Sequence, residues 1–156
     1  MEVLVAASIF AFCLAGLLLT YMDLFILTDM SRDSTIANNI LQAKIEEIKS
    51  KDFSALAGLN NTNFDVEDSN FLINGSSRVF GKGKIYISNV TVDNITYSGS
   101  DLREARVVIS FKSRNRVIGE DKDLDGILDA GEDDSYYLNG TGVLNSQVES
   151  ITLIKN

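Results

Sequence analysis

The sequence of 156 residues contains no histidine, tryptophan or proline, and only one cysteine. Without histidine, neither a Ser-His nor a Cys-His catalytic pair can form, and a histidine-ligated metal site is excluded. The single cysteine, Cys13, rules out an intrachain disulfide. Because Cys13 lies in an apolar run, we expect it to be a small buried hydrophobic residue. The sequence also lacks a glycine-rich phosphate loop and a nucleophile-base spacing, so we expect no catalytic residues and no enzyme.

Basic residues are few: 14 lysines and arginines face 22 acids, which gives a net charge of −8. Most of this excess is local, because residues 120–134 hold eight acids and one base, a net charge of −7. Phosphate contacts need clustered lysine and arginine, so no nucleic-acid partner is directly implied. The length and the 45% apolar content are typical of one ordinary globular chain.

The first 30 residues contain no base, but they include a long apolar run. Residues 3–22 carry no charge, and as a helix they would cover roughly 30 Å, the thickness of a bilayer core. Tyr21 stands where an interfacial aromatic residue belongs. A cleavable secretory signal should have a positive start and a shorter apolar core. A plain single-pass anchor fits the length but gives no partner to Glu2, whose carboxylate needs one at membrane depth.

The stretch EVLVAASIFA, which begins at Glu2, is similar to the mature N-terminus of type IV pilins and type II secretion pseudopilins. The resemblance implies that Glu2 meets the N-terminal amine of a neighbouring subunit during assembly. The family usually has several residues before this glutamate, whereas only Met1 precedes it here; the missing positive start favours a mature, processed chain. The implied partners are copies of the chain in a helical filament, the pilus or secretion assembly machinery, and the inner membrane before assembly. The implied destination is an extracellular filament at the cell surface.

Residues 31–53 extend the resemblance, because they predict an amphipathic helix. Its apolar stripe recurs at three- to five-residue spacing and consists of Ile36, Ile40, Leu41, Ile45 and Ile48. We therefore divide the predicted helix, residues 1–53, into an apolar half (1–22), for the membrane or the filament core, and an amphipathic half (23–53). Gly16 weakens the apolar half. It indicates either close helix packing or local melting of the helix when the subunit enters a filament.

Residues 54–156 predict a small globular β-domain. Runs rich in β-branched residues lie at 84–92, 106–111 and 148–154, and they predict strands. Gly81, Gly83, residues 98–99 and residues 140–142 predict turns between them, and residues 57–61 predict a loop. An antiparallel sheet packed on the amphipathic half of the helix gives an α+β, pilin-like fold.

Residues 121–132 read DKDLDGILDAGE, which matches the calcium-loop pattern D-x-D-x-D-G-x5-E. The predicted ligands are Asp121, Asp123, Asp125, the carbonyl of Ile127, Asp129 and Glu132. Gly126 permits the sharp turn, and all-oxygen ligands in a flexible loop favour Ca²⁺ over Mg²⁺. The flanking sequence lacks the helices of an EF-hand, which favours an isolated calcium loop on a β-domain. The alternative interpretation is a solvated acidic loop.

Five asparagines occur in N-x-[ST] sequons: Asn60, Asn74, Asn89, Asn94 and Asn139. They are either glycosylation acceptors or ordinary polar residues of turns and strand edges.

The functional hypothesis with most support is a structural subunit of a type IV pilus-like filament with a stabilising calcium site. A minor pilin or secretion pseudopilin is the first alternative. A single-pass membrane-anchored calcium-binding recognition protein is the second.

Overall fold

The computed structural model describes residues 2–73, 76–92, 95–97, 102–129, 132, 144 and 146–155. In chain order its elements are α1 (Glu2–Lys49), a 3-10 helix (Phe53–Leu59), β1 (Thr62–Ile73), β2 (Ser76–Val92), β3 (Ile95–Tyr97), β4 (Leu102–Ser113), β5 (Arg116–Ile118) and β6 (Val148–Lys155). A long N-terminal helix followed by a small antiparallel sheet confirms the predicted α+β fold. The chain divides into two compact units, one that extends to Asp33 and one that begins at Ser34.

The first unit is a helix with an uncovered apolar surface. Every residue from Glu2 to Thr28 is exposed, and the exposed fractions of Val3 and Phe12 reach 81% and 82%. α1 is long and apolar enough to cross a membrane. Cys13 is exposed as well, so the prediction that its side chain is buried in the folded chain is wrong. The reason is that the described residues of this unit form a single helix, which leaves the apolar side chains around Cys13 uncovered.

Hydroxyl groups in the apolar segment are satisfied inside the helix. Each of three hydroxyls donates a hydrogen bond to the carbonyl four residues earlier, at 2.8–2.9 Å; the donors are Ser8, Thr20 and Thr28. A hydroxyl bonded to its own helix backbone does not need water. These three polar side chains are therefore compatible with an apolar environment.

In the second unit, α1 supplies one wall of the core. Its buried residues are Ala37, Leu41, Ile45 and Ile48, each no more than 3% exposed. Ile36 and Ile40, which the sequence placed on the same stripe, are only partly buried against this core. Ala37, which is fully buried, occupies the centre of the core instead. Its small side chain lets the helix pack closely against the rest of the core. The sequence-based stripe consisted of large apolar residues only, so it did not include Ala37.

The sheet supplies the opposite wall of the core, and β4 lies at its centre. β2 pairs along one edge of β4, while β6 and β5 pair with successive parts of the other edge, all antiparallel. The sheet residues of the core are Val66, Phe80, Ile85, Ala105, Val107, Ile109, Phe111 and Val148. The rings of Phe80 and Phe111 meet edge to face at 5.9 Å, a favourable arrangement of two aromatic side chains.

Two boundaries differ from the sequence-based expectation. α1 ends at Lys49 rather than at residue 53, and the 3-10 helix Phe53–Leu59 occupies part of the loop predicted at residues 57–61. Leu56 is fully buried in the core, which ties this short helix to the second unit. Phe53 and Leu59 are partly buried against the same core, so the three large apolar side chains recur at intervals of three residues, the period of a 3-10 helix. This signal was present in the sequence, but the prediction of a loop did not use it.

The prediction of turns at Gly81 and Gly83 is wrong, because both lie inside β2 and pair with β4. Their role is close approach rather than chain reversal. A Cβ at Gly83 would overlap the ring of Phe64, and one at Gly81 would stand 2.5 Å from the carbonyl oxygen of Ser110. A register irregularity between β1 and β2 occurs at the same place, as is common for glycine within strands. The remaining predicted turns, 98–99 and 140–142, lie outside the described residues.

Gly81→Ala is expected to destabilise the sheet by about 1–3 kcal/mol, because the new methyl group overpacks against backbone atoms that cannot move aside. Urea unfolding monitored by circular dichroism measures the change. Gly58→Ala is the matched control, since a Cβ there meets nothing within 4 Å, and its effect should stay below about 1 kcal/mol. Equal losses from the two variants would contradict the close-approach role of Gly81.

Candidate metal-binding loop

Five carboxylates of the acidic loop converge in two overlapping groups. One group is formed by Asp121, Asp123 and Glu132, and the other by Asp123, Asp125 and Asp129. Within each group the nearest carboxylate oxygens lie within 4.8 Å of one another. These groups could hold a metal ion, and all five carboxylates belong to the predicted ligand set.

Asp121 is the inner residue of the loop and is only 1% exposed. Its two carboxylate oxygens accept hydrogen bonds from the backbone N–H groups of Asp125 (3.2 Å) and Gly126 (2.9 Å). Burial raises the pKa of the Asp121 carboxyl, the charge of Glu132 raises it further, and the backbone donors lower it. Asp121 therefore holds the turn through these hydrogen bonds. A nearby cation would also stabilise the ionised form of its carboxylate.

Glu132 closes the loop from its far end. Its carboxylate accepts hydrogen bonds from the backbone N–H groups of Lys122 (2.7 Å) and Asp129 (3.1 Å). Burial alone would raise the pKa of Glu132, but these backbone donors and the charge of Lys122 lower it overall. The glutamate thus joins the first and last parts of the loop and remains ionised, as a ligand for a cation must be.

The outer carboxylates also shape the loop backbone. Asp123 Oδ1 accepts from the N–H of Asp125 at 3.3 Å, and Asp125 Oδ1 accepts from the N–H of Ile127 at 2.6 Å. Gly126 has a φ of +80°, which is consistent with the sharp turn expected at this glycine. The Ile127 side chain is exposed, as suits a residue whose predicted contribution is its carbonyl oxygen.

The loop lies on the face of the sheet that points away from the core. At Gly119 and Gly126 a Cβ would collide with Ser110 on β4 and with Asn63 on β1, respectively. The backbone at Gly119, just before the loop, therefore lies against Ser110, and the loop backbone at Gly126 lies against the Asn63 side chain. Glycine is required at both because φ is positive and no space remains for a side chain.

Lys84 on β2 anchors the loop, and the sequence analysis did not identify it. Its side chain is buried, with only 8% of the residue exposed, and its Nζ donates a 2.7 Å hydrogen bond to the carbonyl oxygen of Gly126. A buried ammonium group needs such an acceptor. The sequence offered one signal for this role: Lys84 is a charged residue at the start of a β-prone run, next to Ile85 and therefore on the opposite face of the strand.

Lys84→Met is expected to lower the free energy of unfolding by about 1.5–3 kcal/mol, the range for a hydrogen bond with a charged partner. It should also weaken calcium binding, because the turn at Gly126 loses its support. Thermal melts in chelator and calorimetric titration measure the two effects. Lys82→Met is the matched control: Lys82 pairs with Asp65 at the surface, where the loss should be below about 1 kcal/mol. Identical results for both variants would contradict the anchoring role.

Glu2 and Gly16 belong to the first unit. Glu2 is exposed in the first turn of α1. α1 is continuous through Gly16, whose Cβ position has no neighbour within 4 Å. Close helix packing at Gly16 and local melting on assembly both stay predictions.

Two of the five sequon asparagines lie in the described part of the chain. Asn60 is exposed at the end of the 3-10 helix, and its Oδ1 accepts a 2.9 Å hydrogen bond from the N–H of Ile87. Asn89 is exposed on β2. The other three, Asn74, Asn94 and Asn139, lie outside the described residues.

The chain matches no protein-family model, no curated protein and no solved structure.

Proposed function

We propose that this chain is a structural subunit of an extracellular type IV pilus-like filament that polymerises through its N-terminal helix. The observation that carries the proposal is the complete exposure of an apolar helical surface from Glu2 to Thr28. The same helix, α1, provides the core wall of the sheet domain through Leu41 and Ile48. One helix thus has an uncovered apolar half and a half that belongs to a folded domain.

The apolar surface of the exposed half must be buried against lipid or protein. Apolar surface in water costs roughly 25 cal/mol for each Å², so a surface of this size must meet lipid or protein. A lipid bilayer satisfies the need before assembly, and the helices of neighbouring copies satisfy it in the filament. Transfer from lipid to protein brings no large hydrophobic gain, so packing between helices and the action of an assembly machinery must favour the filament.

Glu2 gives this segment an electrostatic feature that a plain anchor does not need. A carboxylate at the edge of an apolar segment is stabilised by a nearby positive charge. The N-terminal amine of a neighbouring copy is the partner that the resemblance to pilins implies. In this proposal the inner membrane holds the subunit first, and pairing at Glu2 sets the register of subunits as they join the filament.

The proposal includes one Ca²⁺ ion in the acidic loop. Its support is the convergence of Asp121, Asp123, Asp125, Asp129 and Glu132 at ligand spacing, together with a φ of +80° at the glycine in position six of the pattern. Hard oxygen ligands in this number suit calcium. The ion would neutralise neighbouring carboxylates and fix a loop that rests on the sheet, so its role is stabilisation of the solvent-facing domain.

The experiment that tests the proposal is mechanical shearing of cells, followed by immunoblotting of the sheared and envelope fractions with an antibody against the sheet domain. A major filament subunit should be abundant in the sheared fraction. A minor pilin or secretion pseudopilin should be scarce there but present in the envelope. A membrane-anchored recognition protein should be confined to the envelope and monomeric in detergent, which would refute the filament proposal.

A further inference from the structure

Arg103, the second residue of β4, makes no ion pair within the described part of the chain. Its guanidinium lies over the ring of Phe53, 5.0 Å from the ring centroid, and its buried Nε has no hydrogen-bond acceptor. Arg106 on the same strand, by contrast, pairs with Glu149 at 2.8 Å. An arginine that is held by an aromatic ring and has no carboxylate beside it is oriented to bind an anion.

Arg103 lines a pocket between the 3-10 helix and the sheet. In the strand register Arg103 stands opposite Asn89, two residues from the pair of Ala105 and Ile87, which belongs to the core side. Side chains alternate along a strand, so Arg103 and Asn89 lie on the core side of the sheet, beyond the end of the core. The pocket has a volume of about 310 Å³, and its lining residues are Ala57, Asn60, Ile87, Ser88, Asn89 and Arg103.

The lining of this pocket carries one positive charge and no negative charge. Two acids are adjacent in sequence to residues around it: Asp52 precedes Phe53, and Glu104 follows Arg103. Neither acid lines the pocket. Glu104 stands opposite Ser88 on the other face of the sheet, so the Ser88 hydroxyl is not counted among the pocket's polar groups. The charge of Arg103 is therefore not offset by any lining residue.

Two amide side chains complete the polar lining. Asn60 Oδ1 accepts a 2.9 Å hydrogen bond from the N–H of Ile87, which fixes the amide and leaves its NH₂ group as a donor. Asn89 is exposed, and its amide offers both a donor and an acceptor. Ala57 and Ile87 add a small apolar wall. The pocket thus combines one anion-binding group with polar groups that suit hydroxyls.

We propose that this pocket binds a small hydroxylated carboxylate, the chemistry of a sugar acid. The fork of the Arg103 guanidinium would hold the carboxylate through two parallel hydrogen bonds, while Asn60 and Asn89 would bind hydroxyls. The volume lies at the lower end of the range for small-molecule sites, roughly 300–1,000 Å³. A phosphate monoester fits less well, because its charge of about −1.5 to −2 exceeds that of one arginine in a chain with a net charge of −8.

Two-dimensional NMR titration of the full chain with glucuronate tests this proposal, in zwitterionic detergent with the free calcium concentration held constant. Glucose is the neutral comparison and should bind at least about tenfold more weakly, because it lacks the carboxylate. An oligosaccharide that ends in glucuronate distinguishes two sources of the ligand. Tighter binding of the oligosaccharide would indicate the end of a polymer, and tighter binding of glucuronate would indicate the free acid.

Two variants assign the binding to Arg103. Arg103→Gln removes the fork and should weaken glucuronate binding by about tenfold or more. Asn89→Asp should give a similar loss while the contact between Arg103 and Phe53 remains, because it places a carboxylate opposite the arginine. Arg116→Gln is the matched control: Arg116 is exposed on β5 and pairs at the opposite end of β4, and its loss should change affinity by less than about twofold. Circular dichroism melts establish that each variant is folded.

The proposal is overturned if glucuronate does not bind the wild-type chain, or if glucose binds as tightly as glucuronate. Tighter binding of inorganic phosphate than of glucuronate would also overturn it, since the pocket would then be a general anion site. Equal losses from Arg103→Gln and Arg116→Gln would indicate an effect of net charge alone. A loss of self-association by Arg103→Gln, with unchanged glucuronate binding, would assign the arginine to contact with a second copy of the chain.

Discussion

Calcium is expected to raise the midpoint of thermal unfolding of the sheet domain by about 10 °C, and Asp125→Ala is expected to remove most of that rise. A ligand present at 100 times its Kd stabilises the folded state by about 2.7 kcal/mol. In a domain of this size 1 kcal/mol shifts the midpoint by roughly 4 °C, which gives a rise of about 10 °C. Asp125 is an exposed member of the outer carboxylate group. Its removal therefore costs the ion a ligand while the buried core is untouched.

The comparison between calcium and chelator separates ligation from folding. In chelator, Asp125→Ala should change the midpoint little, because its hydrogen bond with the N–H of Ile127 is local and exposed. Asp52→Ala is the charge-matched control, since Asp52 makes no capping hydrogen bond with its side chain, and it should leave the calcium response intact. A similar loss for Asp125→Ala in calcium and in chelator would show that the loop does not bind the ion.

Glu2→Ala is expected to lower the ratio of sheared to envelope-bound protein by about tenfold or more, which corresponds to about 1.4 kcal/mol or more of assembly free energy. The apolar helix remains, so the variant should still enter the membrane. What it loses is the carboxylate that would pair with the amine of the next subunit. Quantitative immunoblots of the two fractions measure the ratio.

Asp23→Asn is the matched control for Glu2, because it removes another negative charge from an exposed position of α1. It should leave the ratio within about twofold of the wild type. An unchanged ratio for Glu2→Ala would mean that this carboxylate takes no part in assembly, and the segment would then be understood as a simple anchor. An equal fall for both variants would indicate a general requirement for negative charge.

The helix and the acidic loop could be predicted because their signals are local. An uncharged run ahead of a stripe such as Leu41, Ile45 and Ile48 indicates one long helix with two different halves. The loop was accessible for the same reason, since Asp121 and Glu132 lie at fixed spacing within one short segment. Such patterns depend only on residues that are close in the sequence. In the structure, the five carboxylates of the predicted ligand set lie close together in two overlapping groups.

The contacts that hold the loop on the sheet could not be predicted, because they join distant parts of the chain. Lys84 and Gly126 are 42 residues apart, and nothing in either segment indicates its partner. The sequence predicts a turn at Gly81 because glycine is one of the strongest signals for a break in regular structure. Its actual role depends on the approach of β4, which appears only when the strands are paired.

Immunogold electron microscopy of sheared material, with an antibody against the sheet domain and calcium in the buffer, tests whether the chain forms filaments. If it does, thin filaments should be labelled continuously along their length, because every subunit would expose its sheet domain while its apolar helix lies inside. Filaments without label, or label confined to membrane fragments, would contradict it. In that case the exposed helix would serve only to hold a calcium-binding domain at the membrane.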